Sequence, residues 1–376
     1  MPAPASLDGL LAQLRRAPDI EAPELRAWDA ADRYLLETAA PFIAAAPERP
    51  VIVVDDTHGA LTLGAAALGA SLVRGHSDSL IARRAVAQNA ERLDAAAVIE
   101  HVALDTLMTP DARLALVRLP RSLDRLDALV RQLAATAHDD LVLVAGNMVK
   151  HMTPTQNEVL RRGFDRLDVS LARGKARLLT ARGPRPLAPL DPARGYDPEH
   201  ELRIVALPGV FAGASLDIGT RAMLSTFDSL PPCETAIDLA CGSGVLASAL
   251  AQREPGARII ATDVSEIAVR SAALTADANG VQVETVLDDG VAAQPDASTD
   301  LVVLNPPFHV GAAVHTGIAL RLFTDAARVL RPGGELRVVW NSSLGYRPAL
   351  ERLVGPTRQL ARTPKFTVTA SHRRER

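Results

Sequence analysis

The chain has 376 residues, a length that suits two domains. Its hydrophobic content of 48%, aromatic content of 3% and charged fraction of 23% fit a globular protein whose core is built from Ala, Val and Leu. The net charge of −3 does not advertise nucleic-acid binding, so any RNA surface must be a local patch.

Two cysteines, Cys233 and Cys241, exclude a disulfide scaffold, and no Cys/His spacing suits a zinc site, so no metal is expected. The N-terminus is rich in proline and alanine and lacks a basic segment followed by an apolar run, so no signal peptide is expected. No apolar stretch approaches membrane-spanning length. A cytoplasmic monomer is the expectation.

In chain order, VIVVDDTHGALTLGAAAL (51–68) reads as a strand, an acid, a glycine turn and an alanine-rich helix. SDSLIARRAVAQNA (77–90) predicts a helix, ARLALVRLPRS (112–122) a strand, and LVLVAGNMVKHMTP (141–154) a strand running to a proline. Residues 161–186 carry Arg161, Arg162, Arg166, Arg173, Lys175, Arg177, Arg182 and Arg185 against Asp165 and Asp168. Such a cluster can grip phosphates, with Arg161, Arg162, Arg173, Lys175 and Arg177 as the candidates. It reads equally as a solvated surface, with LARGKARLL a strand whose basic residues face water. GPRPLAPLDPARGYDP (183–198) is rich in proline and glycine and lacks an apolar period, which predicts a stiff linker. The expected division is a front domain over 1–185, a linker over 186–199 and a back domain over 200–376.

In the back domain, AIDLACGSGVLA (236–247) predicts a strand that ends at Asp238, a turn through Ala240, Gly242 and Gly244, and a helix from Val245. Glycines let a ligand approach the backbone, and helix N–H groups can meet a carboxylate there. The pattern is not GxGxxG and lacks the Lys-Ser/Thr of a phosphate loop, which disfavours a dinucleotide or ATP. RIIATDV predicts a second strand ending in Asp263 with Val264 beside it, suited to a ribose diol. VETVLDDG predicts a third ending in Asp288 and Asp289, where an acceptor could meet an adenine amino group. LVVLNPPFH (301–309) then ends a buried strand in Asn305, Pro306, Pro307 and Phe308. Proline has no N–H to continue a ladder, so the Asn305 side-chain oxygen and a free backbone carbonyl lie beside an aromatic ring. Two acceptors next to a flat ring can clamp a planar amino group; the same run also reads as an ordinary strand exit.

The two halves repeat each other. The strand, turn and helix at 51–68 parallel 236–250, and 77–90 parallels 263–280 with a helix about one turn shorter. ARLALVRLPRS takes the place of DLVVLNPPFH, and Asn147 and Asn341 each precede a proline by seven residues. LARGKARLLTA and LARTPKFTVTA match without a gap at five of eleven positions. The predicted fold class is therefore α/β, two tandem Rossmann-like domains.

The ordered set of strand-end acids followed by Asn-Pro-Pro-Phe resembles the class I S-adenosylmethionine-dependent methyltransferases. LPGVFAGASLDIGTR (207–221), NPPFH, GGELRVVWNSSLGY (333–346) and KFTVTAS (365–371) resemble more narrowly the bacterial ribosomal RNA guanine-N2 methyltransferases. The resemblance implies S-adenosylmethionine as cofactor, with its methionine end on the Asp238–Gly244 turn, its ribose on Asp263, and its adenine on Asp289 or Asp288. It makes Asp217 and Thr220 candidate cofactor contacts, although both also read as a helix N-cap and first turn. It implies that Asn305 and the Pro306 carbonyl hold the guanine amine and that Phe308 stacks on the base. His309 could serve as a base or line the pocket. The usual first glycine of the turn is Ala240 here, tolerable where φ is negative. In the front copy the second strand ends in Arg74-Gly75 and the NPPF place reads Arg118-Leu119-Pro120-Arg121, so that copy is degenerate and should bind no cofactor. The implied partner is ribosomal RNA or a ribosomal subunit or assembly particle, with a lean to the large subunit. Competing readings are a release-factor glutamine methyltransferase, a DNA adenine methyltransferase and a non-catalytic RNA-binding scaffold.

Overall fold

Strand Val51–Val54 is buried at every position, because its alternate residues enter two different cores. Val51 and Val53 pack on one face of a sheet and Ile52 and Val54 on the other. Leu301 and Val303 against Val302 and Leu304 do the same in the back half. Continuous apolar runs of this kind belong to parallel sheets covered by helices on both faces.

The computed structural model of the chain describes residues 7–306 and 312–375. Two units divide between Leu190 and Asp191. The front unit runs α1 (Leu7–Gln13), α2 (Ala30–Ala45), β1 (Val51–Val54), α3 (Ala60–Ala67), β2 (Val73–His76), α4 (Leu80–Arg92), β3 (Ile99–His101), β4 (Leu114–Arg118), α5 (Leu123–Ala135), β5 (Val142–Met148), α6 (Pro154–Gly163), β6 (Phe164–Val169) and β7 (Ala176–Pro184). The back unit runs β8 (Ala193–Asp197), β9 (Leu202–Ala206), α7 (Ile218–Leu224), β10 (Thr235–Leu239), α8 (Val245–Arg253), β11 (Arg258–Asp263), α9 (Glu266–Asn279), β12 (Glu284–Leu287), β13 (Thr299–Leu304), α10 (Ala312–Val329), β14 (Leu330–Asn341), α11 (Arg347–Leu353), β15 (Thr357–Arg362) and β16 (Phe366–His372).

Among the described residues each unit builds one seven-stranded sheet, in the order β3-β2-β1-β4-β5-β7-β6 and β12-β11-β10-β13-β14-β16-β15. Six strands of each run in one direction, and the seventh, β7 or β16, runs antiparallel to both its neighbours. The two orders are the same, so the duplication read from the sequence is present in the topology. Register makes it residue-specific. Val54 pairs with His76 and Val117, and Leu239 pairs with Thr262 and Leu304. Arg118 therefore stands in the place of Asn305. Asn147 pairs with Arg177 and Asn341 with Phe366, the register that the gapless LAR…TA match requires.

Three expectations need correction. Helix α4, expected a turn shorter than α9, has 13 residues against 14. Strand β2 runs on to His76, and Ser77, not Arg74-Gly75, occupies the place of Asp263. The linker is partly ordered strand: Pro184 ends β7, and Ala193–Asp197 pairs antiparallel with β9. Alternating small and polar residues hid that hairpin from the apolar pattern.

The repeat also extends further upstream than the sequence suggests. The Asn89 side chain on α4 donates to the Arg15 carbonyl at 2.8 Å and accepts from the Arg15 N–H at 3.1 Å. The Thr275 hydroxyl on α9 donates to the Val205 carbonyl and accepts from the Val205 N–H, each at 3.0 Å. Each unit thus pins an upstream segment onto the helix that follows β2 or β11. In the back unit, buried Arg337 on β14 pairs with Glu335 at 2.6 Å and donates to the Thr226 carbonyl, fixing the end of α7 against the sheet.

Candidate active site

Asp238 is 1% exposed at the end of β10, and its Oδ2 accepts the Ala247 N–H at 2.9 Å. Burial pushes its carboxyl up to about 7, against the opposing Ala247 N–H. After Leu239 the chain turns through three left-handed residues, Ala240 (φ 60°), Gly242 (φ 54°) and Gly244 (φ 73°). Ala240 thus lies outside the negative-φ range in which alanine would be tolerable at this position. A Cβ on Gly244 would meet the Ala272 Cα at 2.6 Å, so glycine lets α8 start against α9. A Cβ on Gly242 would meet nothing within 4 Å, so this turn faces open space where a ligand can reach the backbone. Cys241 is buried in the turn, and burial raises its thiol well above the ordinary range, as suits a packing residue.

Asp263 braces the turn: Oδ2 accepts the Gly242 N–H at 3.0 Å and Oδ1 the Ser265 N–H at 2.9 Å. Val264 follows it, partly buried, at the entry to α9. The two acids after β12 differ. Asp288 is 3% exposed and accepts from the N–H groups of Asp289 and Ala293, both at 2.8 Å, so its carboxylate is used within its own loop. Asp289 lies 2.7 Å from the Arg321 guanidinium.

Asn305 follows β13 at the same sheet edge. Its Nδ2 donates to Thr220 Oγ1 at 3.1 Å and Asp217 Oδ2 at 3.3 Å. Asp217 is the N-cap of α7, accepting from Gly219 N–H at 2.8 Å and from Thr220 N–H at 3.3 Å. The cap reading of these two residues therefore holds, and they also touch Asn305. Asp217, Thr220, Asp238, Gly242, Asn305 and the half-exposed Phe211 line one pocket. Pro306 is buried. Pro307, Phe308 and His309 lie outside the described residues.

At the equivalent edge of the front unit, Arg118 stands where the back unit has Asn305. Arg118 makes a two-pronged contact with Asp29, both bonds 2.9 Å, and approaches Asp32 at 3.2 Å. Asp29 is the N-cap of α2, as Asp217 is of α7. Burial lifts the Asp32 carboxyl to about 7 although Arg118 opposes it. Burial would also raise Asp29, but hydrogen bonds from Arg118 and helix N–H groups bring it below the ordinary value. Asp55 has φ 58° in the place of Ala240 and lies 3.5 Å from Arg125, and His58 contacts Asp19 at 3.1 Å.

The basic run over 161–186 disperses across α6, β6, the following turn and β7. Arg162 pairs with Asp127 at 3.1 Å, and Arg173 with Glu37 at 2.5 Å while lying over the Tyr34 ring. Arg161 and Lys175 are exposed, and Arg177 is partly buried; among the described residues none of these three makes an ion pair. The Val149 N–H donates to the Lys175 carbonyl at 2.8 Å, which brings exposed Lys150 beside Lys175. Sequence spacing missed this pair because a strand and a helix separate the two lysines. It also missed the meeting of Asp197, Glu199 and His200, where Arg221 binds both carboxylates at 2.7 and 2.6 Å.

Two protein families match the chain. The methyltransferase small domain family matches residues 201–370, and the RLMG N-terminal domain family matches residues 4–185. The ribosomal RNA large subunit methyltransferase G of Streptomyces avermitilis is 38% identical over 371 residues, covering 94% of this chain and 95% of that protein. This chain belongs to that family. Proteins of the same name from Streptomyces coelicolor (38% identical; 94% of this chain, 96% of that one) and Photobacterium profundum (33%; 96% of each) match along nearly their whole length. Among solved structures, a T. thermophilus 16S rRNA N2 G1207 methyltransferase in complex with AdoMet and guanosine superposes with a TM-score of 0.78. It shares 21% identity, covering 97% of this chain and 99% of that one, and so shares the tandem fold.

Proposed function

We propose that this chain transfers a methyl group from S-adenosylmethionine to the exocyclic N2 of a guanine in ribosomal RNA, with the large subunit as source. One observation carries the proposal: Asn305, held by Asp217 and Thr220, lines the same pocket as the Asp238–Gly244 turn. Family membership favours ribosomal RNA over a release factor or DNA. The site residues fit the cofactor. Gly242 leaves open space at the turn, the turn through Ala240 and Gly244 and the start of α8 would take the methionine end, and Asp263 with Val264 the ribose. Asp289, 2.7 Å from the Arg321 guanidinium, is assigned to adenine, since Asp288 serves its own loop.

The cofactor supplies a methyl group already activated on a sulfonium. The protein must place the amine nitrogen in line with it, and such positioning can lower a barrier by about 7–11 kcal/mol. The guanine amine is a weak nucleophile because its lone pair is delocalised into the ring. Hydrogen bonds from its two hydrogens to Asn305 Oδ1 and the Pro306 carbonyl draw the nitrogen toward tetrahedral geometry and free that lone pair. Phe308 is assigned to stack on the base. The nitrogen becomes acidic once methylated, so no strong base is needed. The target base must leave any stack to enter the pocket, which points to a loop or an opened RNA region.

The front unit is proposed to contact RNA phosphates through Lys175 and Lys150, with Arg161 and Arg177 nearby in sequence and Arg162 and Arg173 engaged by acids. The chain would act in the bacterial cytoplasm as a monomer on rRNA or an assembly particle. No helix among the described residues is long and apolar enough to cross a membrane. The test is tritium transfer from S-adenosylmethionine into rRNA, DNA and protein from cells lacking this gene. Label in rRNA that disappears with Asn305→Ala supports the proposal; label in protein or DNA overturns it.

A further inference from the structure

Asn305 can present two different faces to a target, and only one of them works. Its amide oxygen accepts a hydrogen bond from an amine; its amide nitrogen faces an amine donor to donor. The contacts on the far side of the amide decide which face is turned outward. Asp217 Oδ2 is a carboxylate oxygen and only accepts. The Thr220 hydroxyl donates its one hydrogen to the same Asp217 oxygen, so toward Asn305 it too can only accept. Both neighbours therefore require the Nδ2 end, at 3.3 and 3.1 Å, and the oxygen is left for the pocket. Asp217 is itself held still, because its Oδ1 caps α7 through the Gly219 N–H at 2.8 Å. Gly219 leaves room for this arrangement: a Cβ there would crowd Asp217 Oδ1 at 3.0 Å and stand 3.4 Å from both amide atoms of Asn305.

The front unit supplies an independent instance of the same device. Asp29 caps α2 and grips Arg118, the residue in the place of Asn305, with Asp32 standing three residues on as Thr220 does from Asp217. In both units the helix-capping aspartate holds the side chain that leaves β4 or β13.

We infer that Asp217 and Thr220 are positioning residues, which fix the amide orientation of Asn305 so that its oxygen faces the target amine. The inference rests on the assignment of Asn305 to the target nitrogen. Asp217→Asn is the informative variant. Asparagine is an equally good N-cap, so α7 keeps its cap through the remaining oxygen. The other oxygen becomes an NH2 group facing the Asn305 NH2, which forces the amide to turn over.

The experiment measures kcat, cofactor Kd and melting temperature of the full chain on rRNA from cells lacking the gene. The expected result for D217N is a fall in kcat of about 100-fold, the scale of losing one oriented hydrogen bond in a transition state. Cofactor Kd and melting temperature should stay near wild type. Thr220→Val should lower kcat while Thr220→Ser recovers most of it, since serine restores the hydroxyl. The double variant D217N/N305D re-creates a donor–acceptor pair with an oxygen facing the pocket, so it should be faster than D217N alone. A wild-type kcat in D217N, or a loss of cofactor binding and melting temperature in step with kcat, would overturn the inference. So would a double variant slower than D217N. Failure of the underlying assignment is distinct: wild type would then place no methyl group in rRNA, or Asn305→Ala would remain active.

Discussion

Replacing Arg118 with methionine tests whether the front copy's site is closed by its own ion pair. The guanidinium is 16% exposed; besides Asp29 and Asp32 it reaches Asn147 Oδ1 at 3.3 Å. Methionine keeps an aliphatic stem and removes the charged head, leaving two carboxyl groups without their cation. Asp29 is 38% exposed and partly screened by solvent, so the loss should be about 1.5–3 kcal/mol, the scale of a hydrogen bond to a charged group, rather than that of a fully buried pair. For a unit of this size that is a melting shift of about 3–12 °C. The cost should depend on pH, because Asp32 titrates at about 7 in the folded protein. Its folded pKa lies above the unfolded value, so the folded state holds the extra proton between about pH 4 and 7, and wild-type stability falls as pH rises through that window. At about pH 5.5 Asp32 is neutral in both proteins, and the variant loses only the Asp29 contact. At about pH 8 the variant must keep a buried carboxylate without its counter-charge or bind a proton to neutralise it, so the loss should be larger there. Scanning calorimetry of the full chain separates the units, since a cofactor at 100 times its Kd adds about 2.7 kcal/mol to the unit that binds it. The variant should lower the transition that S-adenosylmethionine leaves in place. An unchanged front transition, or an equal loss at both pH values, would refute the reasoning.

Calorimetric titration of S-adenosylmethionine should give one site per chain; a stoichiometry near two would mean that the front site is open. Asn305→Ala should nearly abolish transfer while cofactor Kd stays within a few-fold, whereas Asp263→Ala should weaken the cofactor by roughly 10-fold or more, as a charged hydrogen-bond partner is lost and the Gly242 N–H is released. Equal loss of cofactor affinity in both variants would show the division of roles to be wrong. Ala240→Gly should stabilise the back unit by about 1 kcal/mol in urea unfolding, because alanine is strained at φ 60°; no gain would mean that the turn relaxes around the methyl group. Reversing Lys150 and Lys175 to Glu should weaken RNA binding and flatten its salt dependence by roughly one log–log unit per lost phosphate contact, with cofactor binding unchanged. An unchanged slope would move the RNA surface elsewhere.

The parallel strands were legible because strands buried on both faces leave continuous apolar runs, and VIVV and LVVL are such runs. The turn at Gly242–Gly244 and the acids at Asp238 and Asp263 were legible because their chemistry is tied to strand ends. What the pattern hid was set by tertiary contact. Asp288 and Asp289 are adjacent in sequence, yet only the fold turns Asp288 into its own loop. The left-handed backbone at Ala240 follows from the turn's path, and alanine carries no mark of it. The basic run at 161–186 looked like a patch because sequence counts charges and not the acids of α2 and α5 that Arg173 and Arg162 meet. The link between Asp217 and Asn305 spans 88 residues and leaves no periodic trace.

Mass mapping of N2-methylguanosine in both rRNAs of a strain lacking this gene tests the central claim most directly. The expected result is the loss of one N2-methylguanosine from large-subunit rRNA, restored by the wild-type gene and not by Asn305→Ala. Unchanged methylguanosine in both rRNAs would contradict it.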